Sequence, residues 1–292
     1  RFNQEIGRAL IENDHGQLTE PALRRLFDAA ANDGTNAAPN APRNFIEDTY
    51  DGIFFTRAEN RWLDNAVCHI SRVGDAFERS MFWFCLFQAA LAKRPYNLFH
   101  RANLYMRQAD VPRSFGNKAS WDRSFEDHMT KFARELNRAV FAGTSTCHAF
   151  CDDALNLSPS FDLVYIDTPY ISGRRAAVDY RDFYHFLEGL VHYDQWSKMI
   201  DWSSKHRRMQ NMDNPWCKAD SCLPAFQSLF RHYADANIAV SYRSHGIPSI
   251  DELVAALGSV KPRVSVHELG VHQYALSTEK KNQEMLIVGT DN

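Results

Sequence analysis

The residues best suited to chemistry form the short run Asp167-Thr168-Pro169-Tyr170, which follows the apolar residues 163–166. A carboxylate and a backbone carbonyl held by a proline can accept both hydrogens of an amine on an aromatic ring, whose delocalised lone pair is otherwise a poor nucleophile. A neighbouring aromatic ring offers a face on which an extruded base can stack, and stacking needs the ring but not the hydroxyl. The run therefore favours group transfer to an aromatic amine. An Asp that caps a helix, followed by a simple turn, would look the same.

A second stretch, residues 93–107, combines basic, amide and aromatic side chains in an irregular segment. The wider range 93–138 contains ten Lys or Arg and five Asp or Glu, whereas the whole chain has a formal charge of −3. Local positive charge is what a phosphate backbone selects, and Arg and Asn side chains can read base edges. A solvated helical surface would explain the same charges. The predicted nucleic-acid contacts are Arg94, Arg101, Asn103 and Arg107.

Composition narrows the class of protein. Of the 292 residues, 45% are apolar, which is enough for a substantial core, and no apolar run reaches the roughly 18 residues of a membrane span. Six cysteines stand at irregular spacings, so we predict reduced thiols in a soluble, cytoplasmic protein without membrane contact. Cys147, His148 and Cys151 could ligate a metal, but Cys217 and Cys222 have the wrong spacing to complete a zinc site, so no metal site is predicted.

Two patterns of secondary structure must position these residues. Apolar residues three and four apart predict helices in the first half, with Thr56 as an N-cap and Glu59 completing a capping box. In the second half, helices are predicted at residues 182–191, 223–234 and 249–257. They alternate with short strands predicted at residues 148–151, 163–166, 238–242, 263–267 and 284–288. This alternation predicts an α/β fold with a doubly wound, mainly parallel sheet and an antiparallel edge hairpin.

Residues 163–170, Leu-Val-Tyr-Ile-Asp-Thr-Pro-Tyr, resemble the Asp-Pro-Pro-Tyr motif of amino-methylating DNA methyltransferases, with Thr168 in place of the first proline. Further segments resemble the Dam-like adenine methylases in the same order, namely residues 52–64, 184–189, 240–249 and 274–277 followed by 284–287. The resemblance implies adenine as the target, because Asp stands where Ser would imply cytosine. It also implies that Thr168 acts through its backbone carbonyl.

The same resemblance implies a Rossmann-like methyltransferase fold in three segments. Residues 1–50 are predicted as the remainder of N-terminal catalytic-domain helices and a loop. Residues 51–145 are predicted as a helical target-recognition region that binds DNA, and residues 146–292 as the catalytic α/β domain.

S-adenosylmethionine as cofactor and double-stranded DNA as partner follow from the resemblance, together with base flipping. The implied catalytic residues are Asp167, Thr168, Pro169 and Tyr170. Asp153 and Asp167 are implied to bind the cofactor. Asp152 is the alternative to Asp153, and either can simply cap the next turn. A restriction endonuclease of the same system is left open as a partner.

Further DNA contacts are predicted after the catalytic loop and on the next strand. They are Arg174, Arg175, Arg181, Tyr184, His185, Ser241, Tyr242 and Arg243. The arginines that follow the loop can instead belong to a solvated surface, and Tyr242 can instead pack in the core.

A glycine-bearing cofactor loop precedes the target-recognition region in this family, and we find none in the sequence. Residues 141–145 imitate it in letters but stand too close to the catalytic loop. Residues 1–13 instead resemble the helix that follows the second cofactor motif. We therefore expect the loop upstream of Arg1 or on a partner chain, and weak cofactor binding by this chain alone.

Other functions fit parts of the same pattern. Methylation of RNA adenine or of a protein glutamine uses related loops, and Asp rather than Asn at position 167 argues against glutamine. A DNA-binding subunit, or half of a split methyltransferase that needs a partner for cofactor binding, is the alternative from another class.

Overall fold

A computed structural model describes residues 1–32, 44–111, 118–158, 160–172, 179–271 and 283–291. The chain divides into two compact units. Unit 1 comprises Arg1–Cys151 and Arg181–Asn211, and unit 2 comprises Asp152–Tyr180 and Met212–Asn292. These boundaries differ from the three predicted segments, because Arg181–Asn211 belongs with the N-terminal helices.

Unit 1 is helical. Its helices are α1 (Phe2–Gly7), α2 (Glu20–Ala31), α3 (Phe45–Thr49), α4 (Arg57–Ile70), α5 (Ala76–Ala92), α6 (Leu104–Gln108), α7 (Lys118–Asp122), α8 (Phe125–Ala139), α9 (Tyr180–Val191) and α10 (Trp196–Met199). The predicted capping box is confirmed, since Thr56 accepts from the Glu59 N–H while Glu59 accepts from the Thr56 N–H at 2.8 Å. Local polar spacing was therefore enough to locate the start of α4.

Aromatic rings dominate the core of unit 1. Phe99 and Phe186 stack with ring centroids 5.0 Å apart, and Tyr50 lies 5.0 Å from Trp196. Gly189 on α9 faces the Trp196 ring so closely that an added Cβ would lie 1.8 Å from its Cε2 atom. Only a glycine therefore allows α9 to pack onto this indole.

Unit 2 contains a four-stranded sheet in the order β1-β3-β6-β5 and a short two-stranded pair, β2 with β4. The strands are β1 (Leu163–Asp167), β2 (Ile171–Ser172), β3 (Asn237–Arg243), β4 (Gly246–Ile247), β5 (Arg263–Val271) and β6 (Gln283–Thr290). The helices of this unit are α11 (Ala219–His232) and α12 (Ile250–Gly258).

Strand directions correct the expectation of a mainly parallel sheet. Among the described strands, β1 and β3 are parallel, whereas β6 is antiparallel to both β3 and β5. The predicted antiparallel pair of the last two strands is observed at the edge of the sheet, with β5 as the edge strand and β6 between β3 and β5. Because β6 runs opposite to both of its neighbours, its position between β3 and β5 makes both pairs antiparallel.

One face of the sheet carries the core of unit 2. Ile238, Val240 and Ile287 lie on this face and are fully buried, in one cluster with Phe226 of α11 and Leu257 of α12. Because side chains alternate along a strand, the neighbouring positions of β1 and β3 point to the opposite face. This alternation decides which residues at the strand ends can meet.

The strand predicted at residues 148–151 is wrong. These residues form no helix or strand, and Phe150 and Cys151 are exposed. Their backbone bonds to side chains instead, since the Ala149 N–H donates to Glu12 at 2.6 Å and its carbonyl accepts from Gln4 at 3.1 Å. Phe150 has strand propensity, but a strand also needs a partner for its hydrogen bonds.

In the described ranges, no helix is both long and apolar enough to span a membrane.

Candidate active site

The predicted catalytic loop begins where β1 ends. Strand register places Asp167, the last residue of β1, opposite Ser241 on β3. The next pairing places Arg243 of β3 opposite Glu284 of β6. Asp167, Ser241 and Glu284 are thereby brought to one edge of the sheet, from positions far apart in the sequence.

Tyr170 connects these groups through its hydroxyl. The Tyr170 oxygen lies 3.3 Å from Asp167 Oδ1, 3.2 Å from Ser241 Oγ and 3.1 Å from Glu284 Oε1. Ser241 Oγ in turn donates to Glu284 Oε1 at 2.5 Å. The loop is thus held to β3 and β6 by a polar cluster, which we call the Tyr170 cluster and define as Asp167, Tyr170, Ser241 and Glu284.

Packing reinforces this position of the loop. The Tyr170 ring meets the Tyr242 ring edge to face, with centroids 5.3 Å apart. Tyr242 is fully buried and donates from its hydroxyl to the Ile247 carbonyl at 2.6 Å, and burial raises its pKa. Ile171, directly after Tyr170, pairs with Ile247 between β2 and β4. The chain is therefore fixed on both sides of the turn at Thr168 and Pro169.

A cavity of about 480 Å³ lies beside the loop within unit 2. Asp167, Thr168 and Pro169 line it on the catalytic side. The rest of its wall is mainly apolar and includes Leu163, Tyr165, Phe161, Trp216, Leu229 and Tyr233. A cavity of this size with a mainly apolar wall and one carboxylate suits a small organic ligand that carries a polar group.

Asp153 stands in a turn rather than at the end of a strand. Its carboxylate accepts from the Leu155 N–H at 3.0 Å and caps the short 3-10 turn Ala154–Asn156. Asp152 accepts from Asn156 Nδ2 at 2.9 Å. The Ala154 carbonyl accepts from the Tyr233 hydroxyl at 2.5 Å, and Ala154 lines the cavity. Asp153 therefore caps the turn next to the cavity wall, while Asp152 bonds to the Asn156 side chain at the end of the turn.

Several residues predicted to contact DNA are buried in unit 2. Ser241 belongs to the Tyr170 cluster, Tyr242 is in the core, and Arg243 is 7% exposed. Arg174 and Arg175 lie outside the described residues. A side chain enclosed by the protein cannot reach a DNA duplex without rearrangement, and this applies to Ser241, Tyr242 and Arg243.

The basic segment of unit 1 is also largely internal. Arg94 is fully buried, with its guanidinium 4.1 Å from the Phe54 ring centroid and 4.6 Å from that of Phe99. Its Nη2 atom donates to the Leu98 carbonyl at 2.7 Å. Arg94 was predicted to contact nucleic acid. In the structure its guanidinium instead packs on the aromatic core and closes the loop through the Leu98 carbonyl.

Glu59 engages two further cations of the same segment. Arg107 donates to it from both terminal nitrogens, at 3.0 and 2.7 Å, and Lys93 Nζ lies at 2.9 Å. Burial opposes ionisation of Glu59, but Arg107 and Lys93 outweigh it and lower the pKa of this carboxyl to about 2. Glu59 thus ties the N-terminus of α4 to the basic segment.

The remaining predicted DNA contacts differ in exposure. Asn103 and His185 are fully buried and bond to the carbonyls of Pro95 and Phe99, at 3.2 and 3.0 Å. Tyr184 and Arg181 are partly buried, and Arg101 is exposed. Of the residues chosen in the range 93–107, Arg101 is therefore the one whose side chain lies at the surface.

Helix α8 presents exposed cations that the sequence-based choice of residues missed. Ser124 caps this helix, and its apolar residues Phe125, Met129, Ala133 and Leu136 are buried. A depression of about 610 Å³ lies on another side of the helix. It is lined by Arg123, Asp127, Thr130, Lys131, Arg134, Glu135 and Arg138. We call the exposed cations Arg123, Lys131, Arg134 and Arg138 the α8 ridge. Lys131, Arg134 and Arg138 are three and four residues apart, and this spacing was the signal that could have identified them.

Glu284 was also missed as a site residue. The available signal was a carboxylate at the start of the apolar strand Met-Leu-Ile-Val, where a charge needs a partner.

Among the described residues, no group of three or more His, Cys, Asp or Glu side chains is placed to hold a metal ion.

Part of the chain is similar to Modification methylase StsI of Streptococcus sanguinis. The two sequences are 27% identical over 155 residues, which are 50% of this chain and 22% of that protein. The match therefore spans about a fifth of the relative's length. No family model matches the chain, and no solved structure matches it. The match is weak homology to a modification methylase over half of the chain.

Proposed function

We propose that this chain carries the catalytic loop of an adenine-specific DNA methyltransferase that uses S-adenosylmethionine. The observation that carries the proposal is the position of Asp167-Thr168-Pro169-Tyr170 at the carboxyl end of β1, beside a cavity of about 480 Å³. Ligands of open α/β sheets bind at such strand ends. The similarity to a modification methylase supports methyl transfer as the class of reaction.

In the proposed reaction, Asp167 and the backbone carbonyl of Thr168 accept the two hydrogens of the adenine amine. This contact favours the rehybridised nitrogen, whose lone pair can then form the new bond to carbon. The negative charge of Asp167 also stabilises the positive charge that develops on the nitrogen, and one proton then passes to water. S-adenosylmethionine would supply the electrophilic methyl group, and its sulfur would keep the electron pair of the broken carbon–sulfur bond and leave as a neutral thioether. The Tyr170 ring is the proposed stacking surface for the flipped base.

The cavity beside the loop is the proposed site for a planar ring. Phe161, Trp216 and Tyr233 contribute aromatic surface to its wall, and Asp167 supplies the acceptor. A purine ring combines flat apolar faces with amino hydrogens that need acceptors. We therefore assign the cavity to an adenine ring. Asp153, which lies next to the cavity wall, is the proposed contact to the cofactor.

DNA phosphates are the proposed partners of the α8 ridge. Its four cations are exposed, with Lys131, Arg134 and Arg138 on one side of α8 and Arg123 just before the helix, and Asp127 and Glu135 are the acidic neighbours. Lys131 and Glu135 are 3.6 Å apart at the surface, a contact that water and salt screen. Phosphate contact of this kind positions a protein on DNA without reading its sequence.

Nucleoside analysis tests the proposal. The complete gene is expressed in a host without DNA adenine methylation, and digested DNA and RNA are analysed by mass spectrometry. We expect N6-methyldeoxyadenosine in DNA, and none with Asp167→Ala. Methylcytosine would replace adenine by cytosine as the target, and methylated adenine in RNA alone would favour an RNA substrate. Absence of any methylated nucleoside, with the purified protein also inactive on DNA, would sink the proposal.

A further inference from the structure

We infer that Glu284 is a positioning residue that, together with Ser241, anchors the Tyr170 hydroxyl and keeps Asp167 available to the reacting amine. The inference deepens the proposed function and rests on it for the role of Asp167. It concerns a residue on β6 that is more than a hundred positions away from the catalytic loop in the sequence.

Three contacts define the anchor. Tyr170 lies 3.1 Å from Glu284 Oε1 and 3.2 Å from Ser241 Oγ, while Ser241 donates to the same carboxylate oxygen. The backbone frames of β3 and β6 fix Ser241 and Glu284. The tyrosine at the end of the loop is therefore tied to a rigid sheet rather than to another part of the loop.

The Tyr170 hydroxyl can donate only one hydrogen bond, and the acceptor it chooses decides whether Asp167 stays available. The Tyr170 hydroxyl has one hydrogen, and both Asp167 and Glu284 are acceptors within reach, at 3.3 and 3.1 Å. If Tyr170 donates to Glu284, the lone pairs of Asp167 are left for the adenine amine. If Glu284 is absent, Asp167 becomes the available carboxylate acceptor, and the tyrosine then competes with the substrate.

A counter-charge accompanies Glu284. Its cross-strand partner is Arg243, which is 7% exposed. Residues directly opposite in an antiparallel pair lie on the same face, with Cβ atoms roughly 5 Å apart. Arg243 thus places an opposite charge on the face of the sheet that carries Glu284, and hydrogen bonds to a charged acceptor are stronger than those to a neutral one.

A double-mutant cycle on the complete enzyme tests the coupling. We expect Glu284→Ala to lower kcat roughly tenfold, as for loss of one hydrogen bond to a charged group, with little change in KM for DNA. Tyr170→Phe loses the anchor but also removes the hydroxyl that would compete for Asp167, so its loss of kcat should be smaller. In the Tyr170→Phe background, Glu284→Ala should have less than a roughly twofold further effect, because the hydroxyl is already gone. Glu284→Gln keeps one acceptor oxygen and should recover part of the rate.

Glu268→Ala is the matched control, since Glu268 is an exposed carboxylate on β5 of the same sheet. Its kcat should equal that of the wild type. Additive losses from Glu284→Ala and Tyr170→Phe, or an unchanged kcat for Glu284→Ala, would overturn the inference while the methyltransferase activity itself stands.

A spectroscopic measurement separates the anchor from the proposed function. In protein labelled at the tyrosine ζ-carbon, the resonance that disappears in Tyr170→Phe should shift in Glu284→Ala and stay in place in Glu268→Ala. This signal reports hydrogen bonding of the hydroxyl and needs no substrate. A resonance that does not respond to Glu284→Ala would refute the anchor even if the protein proves inactive on DNA.

Discussion

Asp167 is where a single-residue change should separate chemistry from folding. Its side chain is exposed at the end of β1, so Asp167→Ala leaves the core intact. We expect methyl incorporation into DNA to fall roughly 10²–10³-fold, the usual cost of losing a group that stabilises developing charge. Asp162→Ala, an exposed carboxylate just before the same strand, is the control and should remain active. A variant at position 167 that keeps a tenth of the wild-type rate would contradict the assigned role.

Thr168 tests whether a backbone carbonyl acts at the second position of the loop. In the described part of the chain, its buried hydroxyl oxygen has no hydrogen-bond partner. Thr168→Val removes that hydroxyl and keeps the carbonyl, so we expect activity within about twofold and a melting temperature at or above that of the wild type. A roughly tenfold or greater loss of kcat, with the fold unchanged, would show that the hydroxyl takes part.

Tyr170 has two separable features. Stacking needs the ring, and on that ground alone Tyr170→Phe should be tolerated. The structure adds hydroxyl contacts with Ser241 and Glu284, which predict the partial loss described above. Tyr170→Ala removes both features and should impair transfer more than Tyr170→Phe.

At the scale of elements, α8 is the helix whose exposed charges should govern DNA affinity. Lys131→Ala, Arg134→Ala and Arg138→Ala together remove three cations from its surface. We expect weaker DNA binding and a salt dependence whose logarithmic slope is flatter by up to about 3, since each lost phosphate contact removes roughly 0.9. Fluorescence anisotropy over a salt titration measures both quantities.

The control for α8 lies on α2. Arg24 and Arg25 are equally exposed there and pair weakly with acidic neighbours, at 2.6 Å to Glu20 and 4.0 Å to Glu78. Arg24→Ala with Arg25→Ala should leave the salt slope nearly unchanged. Equal losses from the α2 and α8 variants would mean that DNA is attracted by overall charge rather than by the α8 ridge.

At the scale of the whole molecule, Glu59 should contribute to acid sensitivity. Its pKa in the folded protein is about 2, against an ordinary value of 4.5. A lowered pKa stabilises the fold above about pH 4.5, and this contribution disappears as the pH falls from there towards 2. The limit set by this shift is about 3 kcal/mol.

The measurement compares urea unfolding of wild type and Glu59→Gln between pH 7 and pH 2.5. We expect the wild type to be more stable at pH 7, and the difference between the two proteins to shrink as the pH drops through this window. Glu20→Gln, at an exposed position on α2, should show no such change. A difference that stays constant with pH would rule out Glu59 as a source of acid sensitivity.

The sequence alone determined the features that depend on near neighbours. The capping box of Thr56 and Glu59 located the start of α4, and the apolar run before Asp167 located β1. The helices predicted near residues 182–191, 223–234 and 249–257 are present with shifted ends. Caps and side-chain periodicity act within a few residues, so the pattern of letters is sufficient to predict them.

Only the tertiary structure decided which distant residues meet. It placed β6 between β3 and β5, which made two of the strand pairs antiparallel and brought Glu284 to Tyr170. It also enclosed Arg94 in an aromatic core that the sequence could not distinguish from an exposed basic surface. Burial and strand order depend on contacts between residues far apart in the chain, and the same local pattern is compatible with several such arrangements.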